Sequence, residues 1–147
     1  MRILLIIAVI IIPDGCVTYR NIYPTEFRKG ILRVDFCDLP QHVGELVYIE
    51  CTYSGVEEYW SIWGRKKCRP QLKTELEFLE LSNDVTKQCA DKFQQVHSNY
   101  FDLYLTLKLI GRFYNTESGV GHLGSNNSKF TVEEVVEIDV MAKTKSI

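Results

Sequence analysis

Alternating apolar and polar residues predict β-strands along most of the chain. The clearest alternation covers residues 47–53, where one face carries Val47, Ile49, Cys51 and Tyr53 and the other carries Tyr48, Glu50 and Thr52. After Ser54-Gly55 an aromatic-rich segment, residues 59–63, predicts a second strand that pairs with the first as a hairpin. Residues 72–81 predict a third strand, and residues 31–36 predict a short accessory strand before the hairpin.

The second half of the sequence predicts one helix and two more strands. Asn83 or Asp84 can cap a helix whose core-facing stripe is Val85, Cys89, Phe93 and Val96. Residues 100–113 return to alternation and predict a long strand, in which Gly111 indicates a bulge or a sharp bend. Residues 114–128 are rich in Gly, Asn and Ser and predict a loop. Residues 130–138 predict the final strand, with the alternation interrupted at Glu133-Glu134.

This order of elements predicts a mainly β fold with one helix. Three strands, a helix and two strands form the order β-β-β-α-β-β, which is typical of the OB-fold, a five-stranded Greek-key barrel. An unrelated α+β roll with the same order is the alternative. The barrel domain is predicted over residues 44–140, after an irregular N-terminal segment at residues 16–43 and before a tail at residues 141–147.

The N-terminus has the pattern of a secretory signal peptide. Arg2 precedes ten apolar residues, 3–12, and the turn-forming Pro13-Asp14-Gly15 follows them. This apolar run is too short to cross a bilayer, which needs about 20 residues. We therefore predict that residues 1–15 are removed and that the remaining 132 of the 147 residues are exported. That length suits a single domain.

Charge patterning argues against nucleic acid as a partner. The formal net charge is −2, so there is no excess of basic side chains to neutralise phosphates. The densest basic cluster, Arg65-Lys66-Lys67 with Arg69, lies in a predicted loop and is followed by acidic residues. We interpret it as a solvated loop.

Several short motifs resemble a family of small uncharacterised bacterial exported proteins and lipoproteins. The likeness spans roughly residues 37–138. Its early part is the strand from Val47, the segment Gly55-Val56-Glu57-Glu58-Tyr59-Trp60 and the loop residue Cys68. Its later part consists of three motifs: Gly111-Arg112-Phe113, Gly119-Val120-Gly121-His122-Leu123-Gly124 and Phe130-Thr131-Val132. Val120 stands where the family usually has an aromatic residue. The resemblance implies export and an OB-fold-like barrel, and it implies no enzymatic activity.

Five cysteines are an odd number for an exported protein, and Cys16 offers an explanation. Lipid attachment to Cys16 after cleavage behind Gly15 would anchor the protein in a membrane. Gly15 suits such processing, whereas Pro13 and Asp14 do not, so ordinary cleavage nearby is the alternative. Either way, four cysteines remain for the folded domain.

The four remaining cysteines allow three pairings, of which we favour one. Cys37 and Cys68 lie in predicted loops on either side of the first hairpin, and we predict a disulfide between them. Cys51 and Cys89 both face the predicted core, and they are either a second disulfide or buried free thiols. No CxxC spacing occurs and the three histidines are far apart in sequence, so we predict no metal site.

The candidate ligand contacts are aromatic residues of the hairpin and a histidine of the glycine-rich segment. Tyr59, Trp60 and Trp63 belong to the second predicted strand, and OB-folds bind ligands partly through stacking aromatics. His122 lies between glycines, which allow a ligand to approach the backbone closely. Because no nucleophile motif accompanies His122, we interpret this histidine as a loop residue rather than a catalytic one.

These observations predict an exported, non-enzymatic module that binds a ligand or has a structural role. The alternative is a small secreted enzyme that uses His122. We expect a monomer without cofactor, located in the periplasm or anchored to a membrane through the lipid alone. Its expected partner is a protein or a glycan of the cell envelope and not a nucleic acid.

Overall fold

The computed structural model describes residues 30–78 and 83–144, except for the side chains of residues 83–88. The strands are β1 (Leu32–Arg33), β2 (Leu46–Val56), β3 (Tyr59–Trp63), β4 (Thr74–Phe78), β5 (Leu103–Val120) and β6 (Asn126–Ala142). One α-helix, α1 (Asn83–Ser98), follows β4, and short 3₁₀ helices occupy Phe36–Gln41 and His122–Gly124. The protein is mainly β, as predicted, and its strand content is 56%.

The six strands of the described residues form one sheet with the order β1-β2-β3-β4-β6-β5. The accessory strand β1 runs parallel to β2, and the β2–β3 hairpin is antiparallel. Strand β4 runs parallel to β6, while β6 and β5 form a long antiparallel pair. In addition, β5 pairs with β2 over eight residue pairs, from Leu46 opposite Arg112 to Tyr53 opposite Leu105. Every strand from β2 to β6 therefore has a hydrogen-bonded neighbour on each side.

The predicted alternation of β2 and β5 produces the core. The four residues predicted to face inward from β2 are buried, and Leu105, Leu107 and Leu109 of β5 are also buried. Phe113 and Phe130 belong to the same core and have no exposed surface. The helix adds Cys89 and Val96, in agreement with its predicted stripe, whereas the side chain of Val85 lies outside the described residues.

The segment before β2 contributes more to the fold than its irregular sequence suggests. Val34, Phe36 and Leu39 are buried in the core, and Leu39 has no exposed surface. The predicted accessory strand is reduced to two residues, because Asp35 caps a 3₁₀ helix that begins at Phe36. Residues 1–29, which include the predicted signal peptide and Cys16, lie outside the described residues.

The prediction of a loop at residues 114–128 is wrong. Strand β5 continues to Val120 and β6 begins at Asn126, so most of this segment is a two-stranded arm. Its residues pair with each other, for example Asn115 with Ser128. The sequence pattern fails here because the arm is largely polar, and backbone hydrogen bonds hold it without a buried apolar face.

Strand boundaries differ from the predictions in two other places. The third predicted strand is shorter, at Thr74–Phe78, and its predicted end at residues 79–81 lies outside the described residues. At the C-terminus, β6 continues to Ala142, and the backbone N–H of Lys143 donates to the carbonyl of Asp102 at 2.7 Å. The predicted tail therefore begins later than residue 141.

The irregularities predicted in β5 and β6 are confirmed. The register between the two strands shifts between Ile110 and Gly111, where Glu134 and Val132 are the successive partners and Glu133 is left over. Such a bulge bends a strand and increases its twist, which lets β5 pair with β6 on one side and β2 on the other. Both expected signals, Gly111 and Glu133-Glu134, fall at this bulge.

The structure confirms the predicted Cys37–Cys68 disulfide and decides between the two alternatives for Cys51. Cys37 and Cys68 are bonded, with their Cα atoms 5.2 Å apart. Of the two alternatives for Cys51, the structure shows the buried free thiol and not the disulfide with Cys89. On the same strand, the ring of Tyr53 packs edge-to-face on Phe93 of the helix, with centroids 5.0 Å apart.

Candidate functional site

The turn between β2 and β3 projects an aromatic side chain into solvent. Glu57 and Glu58 form this two-residue turn, and Glu57 has a φ of +55°, a conformation that non-glycine residues seldom adopt. The indole N–H of Trp60 donates to the carbonyl of Glu57 at 2.6 Å and holds the turn in place. Tyr59, directly after the turn, remains 48% exposed.

The turn between β5 and β6 contains the glycine-rich segment singled out in the sequence. Gly121 has a φ of +76°, which only glycine adopts readily. A Cβ atom at this position would lie 2.6 Å from Oε2 of Glu75 and 2.7 Å from Nδ2 of Asn126, so the backbone needs glycine for space as well. His122–Gly124 then form a single 3₁₀ turn, from which Leu123 projects with 83% of its surface exposed.

These two turns meet, although their residues are about 60 positions apart in the sequence. Nδ1 of His122 lies 2.9 Å from Oε2 of Glu58. The rings of Tyr59 and His122 are in edge-to-face contact, with centroids 5.0 Å apart. With the half-exposed Val56 and the exposed Leu123, these residues form one surface. We call Val56, Glu58, Tyr59, His122 and Leu123 the tip surface.

The structure thus brings together two of the four predicted contact residues and separates the others from them. Trp60 is next to Tyr59 but turns toward the core, where it stacks on Tyr53. Trp63 lies at the opposite end of β3, beside Thr52 of β2. Glu58 was not predicted as a site residue, yet two adjacent glutamates between two strands are a signal for an exposed turn.

A buried polar network involves residues close in sequence to both turns. Asn126 at the start of β6 is 1% exposed. Its side-chain carbonyl accepts from the Ser61 hydroxyl at 2.5 Å, and its amide donates to the Trp60 carbonyl at 3.0 Å and to the Glu75 carboxylate. Burial raises the pKa of Glu75, an effect that the hydrogen bond from Asn126 opposes. This network ties β3, β4 and the β5–β6 turn together.

An aromatic cluster links the same hairpin to the end of α1. The hydroxyl of Tyr53 lies 2.8 Å from Nε2 of His97, in the last turn of the helix. The His97 ring also packs on Trp60, with centroids 4.1 Å apart. Burial raises the pKa of Tyr53 and lowers the pKa of His97. No sequence motif includes His97, and the one sequence feature that indicates a role for it is its position directly after the predicted core residue Val96.

The lowered pKa of His97 predicts a small loss of stability in weak acid. Because the folded protein favours the neutral imidazole, this contribution is fully present above the unfolded pKa of about 6.5 and is lost as the pH falls through the folded pKa. We expect the urea-unfolding free energy to fall more between pH 7.5 and pH 5.5 for the wild type than for His97→Gln. The difference will be a fraction of a kcal/mol, since the ring is partly exposed and screened. Equal falls in both proteins would contradict this assignment.

The basic loop at residues 65–69, which was predicted to be solvated, forms an ion pair through one of its arginines. Arg65 pairs with Glu50 at 2.7 Å, and Arg33 contacts another oxygen of the same carboxylate at 2.8 Å. Both arginines are largely exposed, so these ion pairs contribute little to stability.

Across residues 30–78 and 83–144, no group of three or more His, Cys, Asp or Glu residues is arranged to hold a metal ion. No helix in these ranges has the length and apolarity to cross a bilayer.

Comparisons of the chain with protein-family models, curated protein sequences and solved structures find no significant match. The resemblance to small bacterial exported proteins and lipoproteins therefore stays a prediction.

Proposed function

We propose that this protein is an exported, non-enzymatic binding module with an OB-fold-like barrel. The cycle of strand pairings β2-β3-β4-β6-β5-β2 supports a closed barrel, because the last strand pairs with the first. Along the chain, the helix lies between β4 and β5, the third and fourth of these five strands, as in an OB-fold. The parallel pairing of β4 with β6 is consistent with a Greek-key connection rather than a simple meander.

Export is supported by the Cys37–Cys68 disulfide together with the apolar N-terminal run. Disulfides persist in oxidising compartments and are rare in the cytosol. An N-terminal segment with one positive charge, an apolar run and a turn before Cys16 fits the same route. Attachment of a lipid to Cys16 would hold the module at a membrane surface.

The contact between Tyr59 and His122 is the observation that carries the binding function. It joins two separate turns into one exposed surface, with an aromatic ring and an apolar side chain beside a carboxylate. Aromatic side chains supply large contact areas at low cost in conformational entropy, and exposed clusters of them favour binding sites. The buried network around Asn126 joins β3 to the start of β6, and a fixed scaffold next to both turns favours binding because less has to be ordered when a ligand arrives.

The second candidate function is an enzyme that uses His122, and the carboxylate of Glu58 favours it. A carboxylate on Nδ1 orients an imidazole so that Nε2 can act as a base. A His122→Gln variant separates the two functions, since glutamine keeps hydrogen-bonding capacity but cannot shuttle a proton. We expect this variant to retain binding. A variant that binds its ligand but no longer converts it would favour the enzyme.

A retention experiment with a matched control tests the proposed function. The mature protein is immobilised, serial dilutions of cell-envelope extract from the producing organism are passed over it, and the retained mass is recorded. We expect Tyr59→Ala to require at least about tenfold more extract for half-maximal retention, as for a central aromatic contact. Phe101→Ala, which removes an exposed aromatic ring elsewhere, should behave like the wild type.

Two outcomes would contradict the proposal. Equal retention by the wild type and Tyr59→Ala would show that the tip surface is not the contact surface. No retention by the wild type at any dilution would favour a purely structural envelope component without a specific ligand.

A further inference from the structure

We propose that the tip surface binds a protein that presents an apolar pocket beside basic side chains, and that Leu123 is the residue that enters this pocket. This inference rests on the proposed binding function and assigns a partner class to it. The exposed apolar residues of the surface are Val56, Tyr59 and Leu123, with exposed fractions of 48%, 48% and 83%. They lie at or next to the two turns that meet there, so a partner can contact all three together.

The position of Leu123 favours a macromolecular partner over a small ligand. Small molecules bind in clefts that enclose most of their surface. Leu123 lies instead in the 3₁₀ turn at the end of the β5–β6 arm, from which its side chain projects. A projecting side chain is removed from water only when the partner supplies a pocket for it, as at the centre of many protein interfaces. The partner therefore needs a concave apolar site.

The backbone conformation of Leu123 is unfavourable for stability. Its φ is +53°, in the left-handed region that glycine and asparagine adopt more readily than leucine. Among the described residues, the one other non-glycine residue with a positive φ is Glu57, in the second turn of the same surface. Strained residues of this kind cluster at sites of ligand contact. An exposed leucine in this conformation adds nothing to the core, so a contact made by its side chain is the better explanation.

The charges beside the apolar residues favour a basic partner. Residues 54–60 and 116–125, which include both turns, contain three glutamates and no Lys or Arg. Glu57 and Glu58 are exposed. Nδ1 of His122 contacts the Glu58 carboxylate and balances its charge only when the imidazole is protonated. Because protein interfaces match charges of opposite sign, the pocket of the partner should have Lys or Arg at its rim.

The same residues disfavour a glycan and a lipid surface as partners. The side chains of Val56 and Leu123 have no hydrogen-bonding group, so glycan hydroxyls packed against them would lose water without compensation. Surfaces that bind membranes combine apolar residues with Lys and Arg, which are attracted by anionic headgroups. The glutamates of the two turns would be repelled by such headgroups. A protein with a basic rim satisfies both the apolar and the charged residues.

Photo-crosslinking from residue 123 tests the partner class. In the full chain, expressed in the producing organism, Leu123 is replaced by p-benzoylphenylalanine, which bonds to neighbouring C–H groups under ultraviolet light. We expect an adduct with a second polypeptide, identified by mass spectrometry. The same replacement at Asp139, an exposed residue toward the other end of β6, should not yield that adduct. An adduct with a lipid or a glycan at residue 123, or no adduct there, would overturn the proposal.

Titration of variants with the purified crosslinked protein tests the contact residues. Leu123→Asn should weaken affinity about tenfold or more, yet unfold at the same or a higher urea concentration than the wild type, because asparagine tolerates the left-handed conformation. Glu57→Lys should weaken affinity about fivefold or more through like-charge repulsion. Asp139→Lys, the matched control with the same change in net charge, should leave it unchanged. Wild-type affinity in Leu123→Asn, or equal affinities in the two lysine variants, would overturn the proposal.

The failure of this inference can be told apart from failure of the proposed function. If residue 123 crosslinks to a lipid or a glycan while envelope retention still depends on Tyr59, the partner class is wrong and the binding function remains. If the wild type also retains nothing from envelope extract, both proposals are wrong.

Discussion

Replacing Cys37 and Cys68 together with serine is expected to lower the unfolding free energy by about 3–4 kcal/mol. The disulfide joins residues 31 positions apart, so it restricts the unfolded chain over a loop of that length. It also ties the segment that supplies the buried Phe36 and Leu39 to the loop after β3. Urea denaturation of the double variant and of the oxidised wild type measures the difference.

The reduced wild type is the internal control for this prediction. Adding dithiothreitol should lower the stability of the wild type to that of the double variant and should leave the double variant unchanged. If the oxidised wild type and the double variant unfold within about 0.5 kcal/mol of each other, a difference typical of a neutral surface change, the disulfide does not stabilise the domain as we infer.

Replacing Gly111 with alanine is expected to cost about 3 kcal/mol, at the upper end of the range for overpacking. A Cβ atom at residue 111 would lie 2.2 Å from the carbonyl oxygen of Thr131 and 2.7 Å from the ring of Phe130. The carbonyl is part of the β5–β6 pairing, so it cannot move away without breaking the ladder at the bulge. Thermal and urea unfolding of the variant measure the cost.

Gly30→Ala provides the matched control for the bulge. Apart from its neighbours along the chain, no described residue has an atom within 4 Å of a Cβ placed at Gly30, so this change should alter stability by less than about 0.5 kcal/mol. Comparable losses for the two alanine variants would indicate a general effect of removing glycine. A fully stable Gly111→Ala variant would contradict the close approach of β5 to β6 at this position.

The hydrophobic pattern was sufficient to predict the core strands and the helix. Strand β2 combines strict alternation with burial of one face, so its side chains reveal both its structure and its orientation. The same holds for the first half of β5, where Leu105, Leu107 and Leu109 are buried. The bulge was predictable as well, because Gly111 interrupts a long alternating segment.

Pattern alone was not sufficient for the β5–β6 arm or for the site. The arm is polar on both sides, so its strands depend on backbone pairing that side-chain periodicity does not report. The contact between Glu58 and His122 depends on how far the arm extends, and a predicted loop at residues 114–128 hides that length.

The cysteines also show how far a structure can be predicted from the sequence pattern alone. The prediction of Cys37 with Cys68 is confirmed because both lie near the hairpin ends, where loops can bring them together. For Cys51 the sequence left a disulfide and a buried free thiol as alternatives, and the structure shows the free thiol, since facing a common core is not sufficient for a disulfide. Burial instead raises the pKa of the Cys51 thiol and keeps it protonated.

The proposed binding function depends most directly on contact between the tip surface and the ligand. The decisive measurement is the ratio of half-maximal envelope retention between Tyr59→Ala and Phe101→Ala, two variants that each lose one exposed aromatic ring. We predict that Tyr59→Ala is weaker by about tenfold or more, since a central aromatic contact carries much of the binding free energy. A ratio near one would contradict the claim.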